Sequence, residues 1–311
     1  MKIIIVGCGK VGRTLAEQLC RENHDVTVID HRAEALKYVS DNLDALCVVG
    51  NGAVFQTQIE AGVKEADLLI ATTGSDELNM LCCLIAKKTG DCHTVARIRN
   101  PEYYQEIQYI RGELNLSLAI NPERAAAVEI ARLLRFPSAI KIEPFAKGRV
   151  ELLKFMIPKD SALDQMQVSD VVSKLKSNVL IWAVERGEDI FIPDGSFIMQ
   201  AGDKISFIAS HKDSAAFFKK AGIVNHAVKR AILVGGGKLA YYLAKALSDT
   251  RIKIKIIERD ETRCRELSKL LPGAMIIHGD GTDQNLLLEE GIQSTEAFAS
   301  LTGVDEENIM M

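Results

Sequence analysis

Two short glycine-rich stretches carry the chemistry of this chain. The first, Gly7-Cys8-Gly9-Lys10-Val11-Gly12, follows the apolar run Ile3-Ile4-Ile5-Val6 and opens a stretch of helical periodicity. In a G-x-G-x-x-G turn of this kind Gly7 permits the tight turn and Gly9 leaves room for the backbone to approach a pyrophosphate. Gly12 lets the helix pack close to the strand. The phosphates would sit on free N–H groups at the helix N-terminus, where the dipole favours negative charge. Asp30 ends the next strand-like run, 18 residues past Gly12. An acid there would bond the ribose hydroxyls and disfavour a 2′-phosphate, which favours NAD(H) or ATP/ADP over NADP. Arg32, two residues on, admits two readings: it would tolerate a phosphate, or lie against the adenine ring.

The second stretch is Gly235-Gly236-Gly237-Lys238-Leu239-Ala240, with alanine in the third slot, a tolerated variant. Glu258 follows Ala240 by 18 residues, the spacing of Gly12 and Asp30. The correspondence continues downstream. Gly50-Asn51-Gly52 pairs with Gly279-Asp280-Gly281, and Ala71–Asn79 pairs with Ser300–Asn308. These segments fall at the C-terminal ends of the third and fourth strands of each copy, where ligands of open α/β sheets bind. The Gly50–Gly52 segment, with Asn51, would border the adenosine, and Thr73-Gly74 (Thr302-Gly303 in the second copy) the phosphates or ribose. A plain helix cap also explains Thr72 to Asp76, and the two roles are compatible. Lys10 and Lys238 occupy the same slot; each would meet a terminal phosphate or stay a solvated surface charge.

Catalytic residues of a dehydrogenase do not accompany these turns. His24 and His93 sit beside turns with no acid at a telling spacing, and His31 directly follows Asp30, so each reads as a surface histidine. The seven cysteines include no CxxC pair and no zinc spacing. They read as small buried hydrophobes in a reducing cytoplasm, and no metal site is expected.

The elements that would hold these residues follow from the apolar pattern. Over the first 135 residues, strand-like runs at Lys2–Gly7, Asp25–Asp30, Ala45–Gly50, Ala66–Ala71, His93–Ile98 and Leu116–Ile120 alternate with helical stretches. Val11, Leu15 and Leu19 mark one helix face. Alternation of this kind predicts a parallel sheet wrapped by helices. From Ala139 to Gly148 prolines and glycine interrupt the pattern, and no strand is assigned there. Strands at Val150–Ile157, Val179–Arg186, Ile190–Ile192 and Lys204–Ala209, with helices at Val168–Leu175 and near Ser214–Lys220, predict a small α+β domain. At Lys229 the opening pattern returns. The expected division is 1–136, 137–226 and 227–311. The fold is therefore α/β: two Rossmann-like doubly wound parallel sheets flanking a small α+β domain, the second sheet having four strands where the first has six.

Composition is ordinary for a globular protein, 47% apolar and 26% charged over 311 residues. A net charge of −4 leaves no electrostatic footprint for nucleic acid. The longest apolar runs fall far short of the roughly 20 residues that span a bilayer, which predicts a soluble, cytoplasmic protein.

The first turn, Asp30, the Ala71–Asn79 stretch and Val95-Ala96-Arg97-Ile98-Arg99-Asn100-Pro101-Glu102-Tyr103 together resemble the RCK (or KTN) domains that regulate potassium transport. The segments Ile190–Gly195 and Ala201–Lys204 resemble the small C-terminal RCK subdomain, and the resemblance covers essentially the whole chain. It implies a peripheral regulatory subunit on the inner face of the cell membrane, a homodimer or homotetramer beneath a Trk-type potassium-translocating subunit. It also implies that Gly7 to Val11, Asp30, Thr73-Gly74 and Arg97 contact the first nucleotide, and Gly235 to Leu239, Glu258 and Thr302-Gly303 the second. Such proteins carry a complete second lobe, whereas here Arg97 has no counterpart in the second copy. The expectation is a truncated second site, weakened or completed by another chain. The competing reading is an NAD-dependent oxidoreductase with an unrecognised catalytic domain, and it lacks a nameable base.

Overall fold

Strand β1 (Lys2–Val6) forms where the chain is apolar on both faces: Ile3, Ile4, Ile5 and Val6 are all buried. A parallel strand covered by helices on both sides requires this. The computed structural model describes residues 1–114, 116–135, 139–145, 149–223 and 228–311. The chain divides into two units, Met1–Ala126 and Ala127–Met311. The boundaries expected at 136/137 and 226/227, with Pro137 and Gly148, lie outside the described residues.

In the first unit β1 is followed by α1 (Lys10–Arg21), β2 (Asp25–Asp30), α2 (Ala33–Asn42), β3 (Ala45–Val49), α3 (Phe55–Glu60) and β4 (Leu68–Ala71). Then come α4 (Asp76–Thr89), β5 (His93–Arg97), α5 (Pro101–Ile110) and β6 (Leu118–Ile120). The strands make one parallel sheet in the order β3-β2-β1-β4-β5-β6. This is the dinucleotide-fold order, and it reverses between β1 and β4. One face buries Ile4, Leu69, Cys82 and Ile98, the other Ile5, Val28, Leu36 and Val39. At the reversal Gly7 and Thr72 leave neighbouring strands side by side, so the gap between their loops is the natural ligand crevice.

The second unit holds two cores. Strands β7 (Ala139–Phe145), β8 (Val150–Met156), β9 (Leu180–Arg186), β10 (Asp189–Phe191) and β11 (Lys204–Ala209) form an antiparallel sheet ordered β10-β9-β11-β8-β7. Helices α7 (Val168–Ser173) and α8 (His211–Lys220) belong to the same core, where Phe155, Phe207, Phe217 and Phe218 meet at ring-centroid distances of 5.0–6.1 Å. Strand β7 was not expected from the sequence. It is an edge strand, where a residue such as Pro144, which has no N–H to donate, is tolerated. Helix α8 starts earlier than expected because Ser210 caps it, its hydroxyl accepting from Asp213 N–H.

The opening pattern then recurs as β12 (Arg230–Val234), α9 (Lys238–Leu247), β13 (Lys253–Glu258), α10 (Glu261–Leu270), β14 (Ala274–His278), α11 (Gln284–Glu289), β15 (Ala297–Ser300) and α12 (Asp305–Met310). Its parallel sheet, β14-β13-β12-β15, reproduces the first four strands of the first sheet in the same order. This core also takes in α6 (Pro122–Arg135). Ala127 and Ala131, one helical turn apart, are buried with Tyr241, Leu243 and Ala244 of α9, and Arg135 donates to the Ala246 carbonyl.

Candidate functional site

The first turn is built from the backbone outward. Gly7 leaves β1 with φ +99°, a conformation L side chains avoid, and its N–H donates to the Ile29 carbonyl at 2.8 Å. A Cβ on Gly12 would lie 1.8 Å from the Gly7 oxygen, so only glycine lets α1 start this close to the strand. Around Gly9 the space is open: a Cβ there would have no heavy atom within 4 Å. The start of α1 has no side-chain cap. A helix start without a side-chain cap is the kind of place where backbone N–H groups receive an anion.

Asp30 is buried, and backbone hydrogen bonds hold its carboxylate across the turn. Oδ2 accepts from Cys8 N–H at 2.8 Å and Oδ1 from Arg32 N–H at 2.9 Å. The His31 ring lies 3.3 Å from Oδ1 but is largely exposed. On the opposite side the β4–α4 loop is held by Asn79, whose Oδ1 accepts from both Thr73 N–H and the Thr73 hydroxyl. Its Nδ2 donates to the Arg97 carbonyl at 2.8 Å. Thr72 closes the base, its hydroxyl donating to the Gly7 oxygen at 3.2 Å. The Ser75 hydroxyl accepts from Leu78 N–H and caps α4, so this loop both caps a helix and borders the crevice.

Between these loops lies a cavity of about 590 Å³. Of the residues expected here, Gly7, Gly9, Lys10, Val11, Asp30, Asn51, Thr73, Gly74 and Arg97 line it. Cys8 and Gly12 do not, being buried behind the turn. Burial pushes the Cys8 thiol above its usual value, and Asp30 adds to the effect, so it stays a neutral packing group. Arg97 reaches in from the end of β5, its guanidinium donating to the Thr73 carbonyl at 2.8 Å. Burial, and then Arg99 beside it, push the Arg97 guanidinium below its ordinary value. An anion in the crevice would relieve that strain. Leu78 also lines the cavity. Its signal in the sequence was its place inside the repeated Ala71–Asn79 stretch.

The second turn keeps the main bonds of this frame, although Leu301 and Val304 stand where the first lobe has Thr72 and Ser75. Gly235 has φ +96° and donates to Ile257 O at 2.9 Å. Glu258 accepts from Gly236 N–H at 2.6 Å and from Asp260 N–H at 2.8 Å. Asn308 Oδ1 accepts from Thr302 N–H and the Thr302 hydroxyl, both at 2.9 Å. The cavity here is about 240 Å³. Gly235, Glu258, Thr302 and Gly303 line it, while Gly236, Gly237, Lys238 and Leu239 do not. Leu267 occupies the side of the turn: a Cβ on Gly236 would sit 2.5 Å from its Cδ1. Arg259, Asp280, Glu307 and Met311 also line it. Of these, Asp280 and Glu307 stood in segments the sequence had matched, Gly279–Gly281 and Ser300–Asn308.

The TrkA-N domain family matches residues 3–122 and again 231–311, and the TrkA-C domain family matches residues 152–222. The chain is 35% identical, over its whole length, to the Trk system potassium uptake protein TrkA of Haemophilus influenzae, and spans 68% of that protein. A TrkA homolog from Archaeoglobus fulgidus is also 35% identical, with 70% of its length covered. Among solved structures, the GsuK channel bound to NAD superposes with a TM-score of 0.70 at 16% identity. That match takes in 99% of this chain and 54% of the channel chain, and it bears on the fold alone. The human SLO3 gating ring follows the same fold at a TM-score of 0.52 and 12% identity.

Proposed function

Because this chain belongs to the TrkA family, we propose that it is a cytoplasmic regulatory subunit that binds NAD(H) or ATP/ADP and gates a Trk-type membrane potassium transporter. In this reading residues 1–136 are the nucleotide lobe, 137–226 the small RCK C-terminal-type domain and 227–311 a second lobe. A homodimer or homotetramer would dock on the inner face of the membrane beneath the translocating subunit. Among the described residues no helix is long and apolar enough to cross a membrane, so the pore would come from that partner.

One observation carries the reading. The Gly7 turn, the Asp30 carboxylate and the Thr73–Arg97 contact surround a single cavity whose cations are Lys10, Arg32 and Arg97. An acid for the ribose and cations for the phosphates are what an ADP moiety asks of a site. A structure similar to this one was solved with NAD and another with ADP, the GsuK channel in both cases, which supports this class of ligand. The ligand would act by its difference in affinity for two arrangements of the assembly, typically about 1–3 kcal/mol of coupling.

The test is potassium flux through the reconstituted pore complex with and without NADH or ATP, for the wild-type chain and for Asp30→Ala. A nucleotide response that Asp30→Ala abolishes is expected. A response of the same size in the variant would overturn the reading.

A further inference from the structure

The two turns share a frame but not a charge. Over the slots that both lobes share, two cations of the first cavity, Lys10 and Arg32, face one carboxylate, Asp30. In the second, three carboxylates, Glu258, Asp280 and Glu307, face one cation, Arg259, among the described residues. The exchange is local and can be followed slot by slot. Asp260 stands where the first turn has Arg32, and each donates its N–H to the carboxylate two residues before it. Asp280 stands where the first lobe has Asn51, and each accepts a backbone N–H two residues on, at 2.9 and 3.0 Å. Glu307 stands where Leu78 borders the first cavity.

The features that recognise a nucleoside are kept: the positive-φ glycine, the acid at the end of the second strand and the threonine–asparagine latch. The features that would balance a pyrophosphate are reversed. Thr282 donates both its N–H and its hydroxyl to Asp280, which holds that carboxyl below the usual range, and Arg259 adds to this. It is therefore ionised at neutral pH. A dianionic phosphate chain entering here would meet like charge, which costs several-fold to many-fold in affinity.

We propose that the second cavity takes an adenine nucleoside without phosphate groups, and that a dinucleotide is read only by the first turn. This rests on the nucleotide reading of the first lobe. The consequence is one dinucleotide and one nucleoside per chain rather than two equal sites.

Calorimetry of this chain with NADH and with adenosine tests it. One NADH equivalent is expected in the wild type and none in Asp30→Ala. In the Asp30→Ala background one adenosine equivalent is expected, and Glu258→Ala added to that background should remove it. A gain-of-function variant guards against misfolding: Asp280→Asn and Glu307→Leu put the first-lobe residues in the second cavity, and Asp260→Arg, in the slot of Arg32, puts a cation at its turn. It should acquire a second NADH equivalent that the wild type lacks. Two NADH equivalents in the wild type would overturn the proposal, as would failure of adenosine to bind Asp30→Ala protein. Absence of any NADH binding by the wild type would overturn the nucleotide reading itself, a separable result.

Discussion

The amide oxygen of Asn79 accepts two hydrogen bonds from Thr73, one from its backbone N–H at 2.8 Å and one from its hydroxyl at 2.7 Å. Asn79 is fully buried, and its amide nitrogen also holds the Arg97 carbonyl. One side chain thus fixes the loop on one side of the crevice and the strand end on another. Asn79→Ala takes the side-chain partner from the half-buried Thr73 N–H and the half-buried Arg97 carbonyl. A loss of about 2–3 kcal/mol is expected, read from the urea midpoint, together with weaker nucleotide binding. Asn308→Ala should cost less, about 1 kcal/mol, because Asn308 is only half-buried.

The glycines of the first turn separate folding from binding. Gly12→Ala drives a methyl group to 1.8 Å from the Gly7 oxygen and should destabilise the lobe by about 2–4 kcal/mol. Gly9→Ala meets no protein atom. It should leave the melting temperature within a few degrees of wild type while nucleotide affinity, measured by calorimetry, falls at least roughly tenfold. Equal affinity in Gly9→Ala would show that no phosphate lies over that residue.

Five of the seven cysteines, Cys8, Cys82, Cys83, Cys92 and Cys264, are buried, and Cys20 and Cys47 are partly exposed. Burial pushes the Cys82 thiol up to about 12 and raises Cys83 as well, with Cys82 and Cys92 adding to it. A thiol reagent at pH 8 should therefore titrate two groups in the native chain and the remaining five only after unfolding. The pH sign follows from the raised values. The neutral thiols contribute fully below about 8.5, the unfolded value, and that contribution is lost as pH rises towards 12. The urea midpoint should fall over this range.

In the small domain Phe155 touches Phe207, Phe217 and Phe218, with centroids at 5.9, 6.1 and 5.0 Å. All four rings are buried. Phe155→Ala is expected to cost about 3–5 kcal/mol. Phe155→Leu should cost distinctly less, and denaturation monitored by the lone Trp182 on β9 would report both.

The parallel lobes were legible because strands buried on both faces write themselves as unbroken apolar runs, as Ile3–Val6 and Leu68–Ala71 do. Strand β7 was not. Ala139-Ile140-Lys141-Ile142-Glu143-Pro144-Phe145 mixes charge with apolar residues, because an edge strand needs one protected face and no donor at every position. At the site, Gly7, Asp30 and Thr73 could be named from spacing, because backbone geometry dictates them. Gly236 to Leu239 satisfied the same spacing and yet do not line the second cavity, and Leu267 of α10 lies against Gly236 at the side of that turn. Spacing along the chain records the turn. What leans on it from another helix has no spacing to read.

Cys8 N–H and Arg32 N–H hold the Asp30 carboxylate, and Asn79 secures Thr73, all through bonds within the protein itself. The reader of the ligand is preorganised. A nucleotide arriving there spends little free energy on assembling the turn, which favours affinity. It follows that the turn itself has little left to report. Whatever the ligand communicates to the rest of an assembly must pass through the groups it can still displace, above all the exposed Arg32 and the desolvated Arg97 guanidinium. On the proposed function, the rigid part of the site would identify the guest and the two arginines would announce it.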